Sequence, residues 1–253
     1  EIYTLSLHDA LPISIHAIQP SDRVSFSSIT ALAECGMKYA LDKSTKEVPA
    51  WWLVGGTAFH LATEELERTI LERPQDWAAI PDEQMPEILR NGWHNALAKA
   101  IAERQVEALD VPLSDWRAAN KGMEGYDWWR VTGADMLARY VAYWAPRREK
   151  GWRIHTMPDG QPALELDLSI DVDGERFQVI IDQVWRTPND DLWIDDLKSG
   201  KTSPASTLQL GIAAHALAAE IPTVDLPANT IHGAFYKARE GSHDKETADL
   251  LDE

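Results

Sequence analysis

Cysteine is nearly absent from this chain. Cys35 is the only one in 253 residues. No internal disulfide can form, and a reducing, cytoplasmic setting is the simplest expectation. Basic residues are scarce as well. Lys and Arg number 24 against 41 Asp and Glu, leaving a net charge of −17. That balance argues against a surface built for indiscriminate phosphate binding, whose affinity comes mainly from Lys and Arg. A local basic groove remains compatible with it, and clustered carboxylates can serve as metal ligands. No apolar run approaches the roughly 20 residues that span a bilayer, and no stretch has the order of a secretory signal. No membrane partner is expected. Internal repeats and low-complexity tracts are also missing. What is present is ordinary for a soluble globular protein: 44% hydrophobic and 26% charged residues. The length can bury a sizeable core, as one large domain or as a core with a helical elaboration.

The first 13 residues, EIYTLSLHDALPI, resemble the translation of a common sequencing-adapter oligonucleotide. Residues 1–14 are therefore expected to carry no function. The native chain is then expected within residues 15–253 as a single domain, with its natural ends undefined.

Residues 21–150 read as mostly helical. Ser25 or Ser27 can cap a helix over residues 28–41. A second helix is predicted over residues 57–71, with Ala58, Leu61, Ala62, Glu65 and Leu66 at helical spacing and Pro74 ending it. Pro86 opens a third, with Ile88, Leu89, Trp93, Leu97 and Ile101 periodic. A fourth is predicted over residues 131–143, closed by Pro146. At Ala163 the period changes to two. Leu164, Leu166, Leu168, Ile170 and Val172 alternate with Glu165, Asp167, Ser169 and Asp171, a half-buried strand. Asp173-Gly174 signals a hairpin turn. Residues 176–185 form a central strand, apolar on both faces near its middle. Residues 192–198 form the next, after a turn at Pro188-Asn189-Asp190. Ser203 caps a helix that has Pro204 at its first position and runs to about Ala219. A last strand covers residues 230–237.

Within WIDDLKSGK, Asp196 and Lys198 lie two apart and leave the same face of a strand. A carboxylate beside an ammonium can bind a divalent cation and orient a water. A solvated strand end reads the same way. Asp182 sits inside the apolar stretch VIIDQVW, where a charge needs a partner or a metal. Arg186, backbone amides or a magnesium-type oxygen site would each serve. Gln209 is a polar residue on an apolar helix, TLQLGIAAHAL, and could simply face solvent. In GTAFH, Gly56 and His60 are one turn apart. Glycine permits close backbone approach and histidine can ligate a metal, although a lone histidine is more often a satisfied surface or core residue.

Taken in order, these segments resemble the RecB-like exonuclease branch of the PD-(D/E)XK nucleases, similar to CRISPR-associated and phage RecB-type members. SFSSITALAECGMKYAL resembles the branch's opening helix at Cys35, Lys38 and Tyr39, with Gly36 where proline is usual. GTAFH matches the Gly-x-x-x-His helix, VIIDQV the Gly-x-x-Asp strand, IDDLKSGK the Asp-x-Lys-Thr-Gly strand and LQLGIAAHAL the Gln-x-x-x-Tyr helix. The strand glycine is replaced by Val179 and Ile180, and Ala213 stands where tyrosine is expected. The resemblance spans residues 25–236. It implies an α/β (α+β) restriction-endonuclease-like core: a central mixed β-sheet flanked by helices, with a helix-rich N-terminal segment. The helical part would be residues 21–150, and the nuclease core 151–253 plus the helix over residues 57–72.

The resemblance also implies DNA phosphodiester hydrolysis with Mg2+ or Mn2+. His60, Asp182, Asp196 and the Leu197 carbonyl would be metal ligands. Asp182, Asp196, Lys198 and Gln209 would be the catalytic set, with Lys198 positioning the attacking water and Gln209 orienting Lys198 or a phosphate. Glu165 is a weaker candidate for a supporting role, against a solvent-facing strand residue. Some relatives bind an iron–sulfur cluster through a cysteine at the Cys35 position and three more near the C-terminus. Those three are missing here, either because this member has no cluster or because the chain ends before them. No cluster is the expectation, since many relatives carry a lone cysteine there as packing. The implied setting is phage or bacterial recombination and repair, with DNA as substrate and a recombination or single-strand annealing protein as candidate partner. An endonuclease on the same core, or a non-catalytic DNA-binding scaffold on a decayed fold, are the alternatives. Trp51, Trp52, Trp128 and Trp129 could stack on unpaired bases or fill a core. The basic run Arg139, Arg147, Arg148, Lys150 and Arg153 could line a DNA channel or cover a helix end.

Overall fold

A computed structural model of the chain describes residues 24–25, 48–108, 111–172, 175–202, 204, 206–221 and 231–251. The predicted helix over residues 28–41 with Cys35, the Asp173-Gly174 turn and the Ser203 cap lie outside the described residues.

The helical layer forms where apolar residues recur at three- and four-residue spacing. Helix α1 spans Trp51–Glu72 and starts a turn and a half earlier than the sequence suggests, because Trp51 and Val54 are themselves buried. Pro74 ends it and opens a short helix, α2, Pro74–Ala78, at the position where its missing N–H costs least. Helices α3, Met85–Ala108, and α4, Tyr126–Glu149, complete the layer. Ala58, Phe59, Ala62 and Leu66 of α1 pack with Leu89, Trp93, Leu97 and Ile101 of α3 and with Met136, Leu137, Tyr140 and Trp144 of α4. Glu65 and Ile88, expected on the core faces, are exposed.

Pro146 lies inside α4 rather than closing it. One backbone bond is lost there, but contacts on either side hold the last turns. Trp144 stacks on Trp185 with centroids 3.7 Å apart, Arg147 donates to the Tyr143 carbonyl at 3.0 Å, and Arg148 pairs with the buried Glu67.

The sheet is mixed. Its long central strand, β4, spans Glu175–Arg186. On one side β4 pairs antiparallel with β2, Arg153–Ile154, and β3, Leu164–Val172. On the other it pairs parallel with the two residues of β1, Val24–Ser25, and antiparallel with β5, Leu192–Lys198. Helix α5, Leu208–Glu220, carries the chain over to β6, Ile231–Lys237, which runs parallel to β5. An antiparallel strand β7, Ser242–Thr247, forms the edge. Apolar residues of α5 (Leu210, Ala213, Ala214, Leu217) cover Val179, Ile181, Val184, Ile194 and Phe235. The sheet is thus flanked by helices on both faces, as expected for a restriction-endonuclease-like core.

Helix α5 begins at Leu208, not at Pro204. The Ser206 hydroxyl accepts the Leu208 amide at 3.0 Å, a local bond that holds the backbone out of the helix until that point.

Candidate metal and catalytic site

The site lies where His60 of α1 meets Asp182 of β4. Along β4, Val179 and Ile181 belong to the α5-side core, and so does Val184. The two-residue alternation therefore breaks between Ile181 and Val184, at the polar pair Asp182 and Gln183. Glu165 on β3 lies opposite this break. Its φ of 47° is a left-handed conformation that costs a non-glycine residue about 1–3 kcal/mol, and such residues gather at functional sites.

His60 reaches the break from α1. Its Nδ1 lies 3.0 Å from Glu165 Oε1 and 3.3 Å from Asp182 Oδ1. Gly56, one turn earlier, faces Ser199, whose Oγ would lie 3.4 Å from a Cβ placed there. Asp182 Oδ2 accepts the Leu197 amide at 2.6 Å. The β4–β5 register sets Gln183 opposite Asp195 and so carries Asp182 to the level of Asp196. Lys198 Nζ is 2.5 Å from Asp196 Oδ2, and Gln209 on α5 donates to Asp196 Oδ1 at 2.8 Å.

Each sequence-predicted side chain is therefore in this one place. The grouping differs from expectation in one respect. Ligand atoms of His60, Glu165 and Asp182 lie within 4.8 Å of one another, whereas Asp196 is engaged by Lys198 and Gln209. Glu165, the weaker candidate in the sequence, stands in the three-residue group. Leu197 enters through its amide, bound to Asp182, where its carbonyl was the expected ligand atom.

Electrostatics follow from crowding carboxylates in a buried place. Asp182 and Asp196 are 8% and 7% exposed. Burial works against the His60 imidazolium, but the Asp182 and Glu165 carboxylates outweigh it and hold His60 well above its ordinary pKa. Burial also pushes Asp182 up, yet His60, the Leu197 amide and Lys198 bring it below its ordinary value. Asp196 is pushed up to about 7 by burial and by the Asp182 charge, against the pull of Lys198. A concentration of negative charge that one histidine and one lysine only partly balance is a cation site in the making. Carboxylate oxygens with one imidazole suit magnesium or manganese.

Parts of the basic run are engaged within the helical layer. Arg148 is committed to Glu67 and Arg147 lies over the Tyr143 ring at 3.6 Å. A second cation cluster was invisible to motif reading. Lys201 and Arg239 both bind the buried Glu124, at 2.6 and 2.9 Å. The hydrogen bond from Arg239 keeps the Glu124 pKa low against the opposing effect of burial, and Lys201 adds to it. No spacing rule joins positions 124, 201 and 239.

Of the paired tryptophans, Trp51 and Trp129 are buried, Trp128 lies beneath Arg239 at 4.5 Å, and the exposed Trp52 lies beneath Arg117 at 5.2 Å. Ala213, at the expected tyrosine position, is buried in the α5 core, and Val179, in place of the strand glycine, is buried there too.

Comparison with known proteins supplies the family. The model of the PD-(D/E)XK nuclease superfamily matches residues 23–249. The gene 69 protein of Mycobacterium phage L5 is 28% identical over 251 residues, covering 90% of this chain and 81% of that protein. The gene 69 protein of Mycobacterium phage D29 is 28% identical over 200 residues, covering 77% and 68%. With its mixed sheet, its flanking helices and this match over most of its length, the chain belongs to the PD-(D/E)XK nuclease superfamily.

Proposed function

We propose that the protein is a divalent-metal-dependent deoxyribonuclease of the RecB-like branch, acting as an exonuclease in phage or bacterial DNA recombination and repair. The observation that carries the catalytic reading is the convergence of His60, Asp182, Asp196 and Lys198 from three elements onto one half-buried spot. The phage relatives favour the setting.

His60, Glu165, Asp182 and Asp196 would hold the ion. A bound divalent ion would polarise a phosphoryl oxygen and lower the pKa of its water. The chain's own groups do the rest. Lys198, already beside Asp196, places an ammonium where negative charge develops on phosphate. Gln209 fixes the Asp196 carboxylate by donating to it. The Leu197 amide fixes Asp182 in the same way, so neither acid must reorganise when substrate arrives.

The test uses linear and covalently closed circular DNA with magnesium or manganese, beside Lys198→Ala and Asp182→Asn. The expected result is degradation of linear DNA only, with a loss of at least about a hundredfold in both variants, the scale of removing one charge-stabilising group. Cleavage of closed circles would make it an endonuclease. A folded protein inactive on both substrates would leave a non-catalytic scaffold.

A further inference from the structure

A second concave site lies at the beginning of α1, away from the carboxylates. It is a cavity of about 790 Å³. Aromatic rings back its wall, Trp51 and Trp116 buried and Tyr126 exposed. Trp51 packs against Trp116 with centroids 4.9 Å apart and against Tyr126 at 5.6 Å. Leu97 and Ile101 of α3 add an apolar floor, while His94, Ser114 and Arg130 bring polar groups to the lining. Tyr126 and Arg130 are exposed.

We propose that this cavity takes an unpaired nucleotide of the strand being cut. The inference rests on the nuclease reading above. The exposed Tyr126 ring, with Trp51 and Trp116 buried behind it, suits a base face, which stacks without regard to sequence, and the Arg130 guanidinium, whose Nε lies 3.8 Å from Asp127, suits its phosphate.

Continuity with the carboxylate site supports this occupant. Trp51 precedes His60 by nine residues on the same helix, about 14 Å along its axis. Between them Gly56 approaches Ser199, the residue that follows Lys198. Two residues on, Lys201 joins Arg239 on Glu124. Glu124 belongs to the turn whose Gly122 and Gly125 line the cavity. Two cations on one carboxylate leave a net positive step between catalytic site and cavity, in a molecule of charge −17. A phosphate backbone following that step brings a neighbouring base to the exposed Tyr126 ring.

The test separates base binding from catalysis. Binding of a fluorescent oligothymidylate is measured in EDTA by anisotropy, and hydrolysis of bis(p-nitrophenyl) phosphate, which carries no base, is measured with manganese. Tyr126→Ala should weaken oligothymidylate binding by about five- to a hundredfold, the effect of losing one stacked ring, and Tyr126→Phe should restore it. Arg130→Gln should also weaken binding. An abasic strand of equal length should bind wild type and Tyr126→Ala alike, and hydrolysis of the small diester should be unchanged in all three variants. Equal binding of oligothymidylate by wild type and Tyr126→Ala would overturn the proposal, as would a loss that persists on the abasic strand. Failure of the wild type to cleave the small diester would instead strike the nuclease reading, leaving the binding comparison intact.

Discussion

Gly133 shows how tightly one position can govern the helical layer. A Cβ there would lie 1.8 Å from Cζ2 of Trp93, and that ring cannot swing aside easily because its Nε1 donates to the Trp129 carbonyl at 2.9 Å. The glycine is what lets α4 approach α3 over a buried tryptophan. Gly133→Ala should destabilise the fold by about 1–3 kcal/mol through overpacking, read as a lower midpoint in urea. Gly92 on α3 is the internal control. Nothing lies within 4 Å of its added Cβ, so Gly92→Ala should stabilise by about 0.5–1 kcal/mol through helix propensity alone. If both substitutions behaved alike, close approach at Gly133 would not be what limits the packing.

At the scale of elements, β2, β3 and β4 are joined at His155. Its amide donates to the Val184 carbonyl at 2.8 Å, and its carbonyl accepts the Ala163 amide at 2.8 Å. The imidazole is buried, and burial together with the neighbouring Arg186 and Arg153 lowers its pKa to about 4. The folded protein thus keeps His155 neutral where the unfolded chain binds a proton. The contribution is whole above pH 6.5, falls as pH drops from 6.5 to 4, and levels off below. At about 1.4 kcal/mol per pKa unit, it amounts to at most about 3 kcal/mol. The difference in stability between wild type and His155→Gln should change over that window and be flat above pH 7; a constant difference throughout would mean that His155 does not titrate there. Most elements around this joint were legible in the sequence, because the two-residue alternation from Leu164 and the Asn189 turn fix β3, β4 and β5. Asp182, Asp196 and Lys198 were legible for the same reason: strand register brings them level. Strands β2 and β7 were not, since a two-residue strand has no period and SHDKET reads as a charged loop until β6 pairs with it. Glu165 ranked as the weaker candidate because its position looks like the solvent face of an alternating strand. What draws it inward is the left-handed turn of its own backbone, and hydrophobic periodicity cannot report that.

For the whole molecule, the balance of charge makes metal binding a question of stability as well as chemistry. The chain carries −17 overall, and Glu165, Asp182 and Asp196 converge at one place with His60 and Lys198 against them. An ion that binds this folded cluster and not the unfolded chain must stabilise the fold, by about 2.7 kcal/mol at a hundredfold excess over its dissociation constant. Salt alone would also help an acidic protein by screening its self-repulsion, so ionic strength has to be matched with sodium chloride. Under that condition magnesium or manganese should raise the thermal midpoint of the wild type by several degrees. Asp182→Asn removes the carboxylate shared by the His60 contact and the Leu197 amide, and it should lose most of that rise. Asp76→Asn, on the short exposed helix α2, should keep it. An equal metal-dependent rise in all three proteins would place the ion elsewhere on the acidic surface, and the carboxylates of the sheet would then need some other account of why they are gathered.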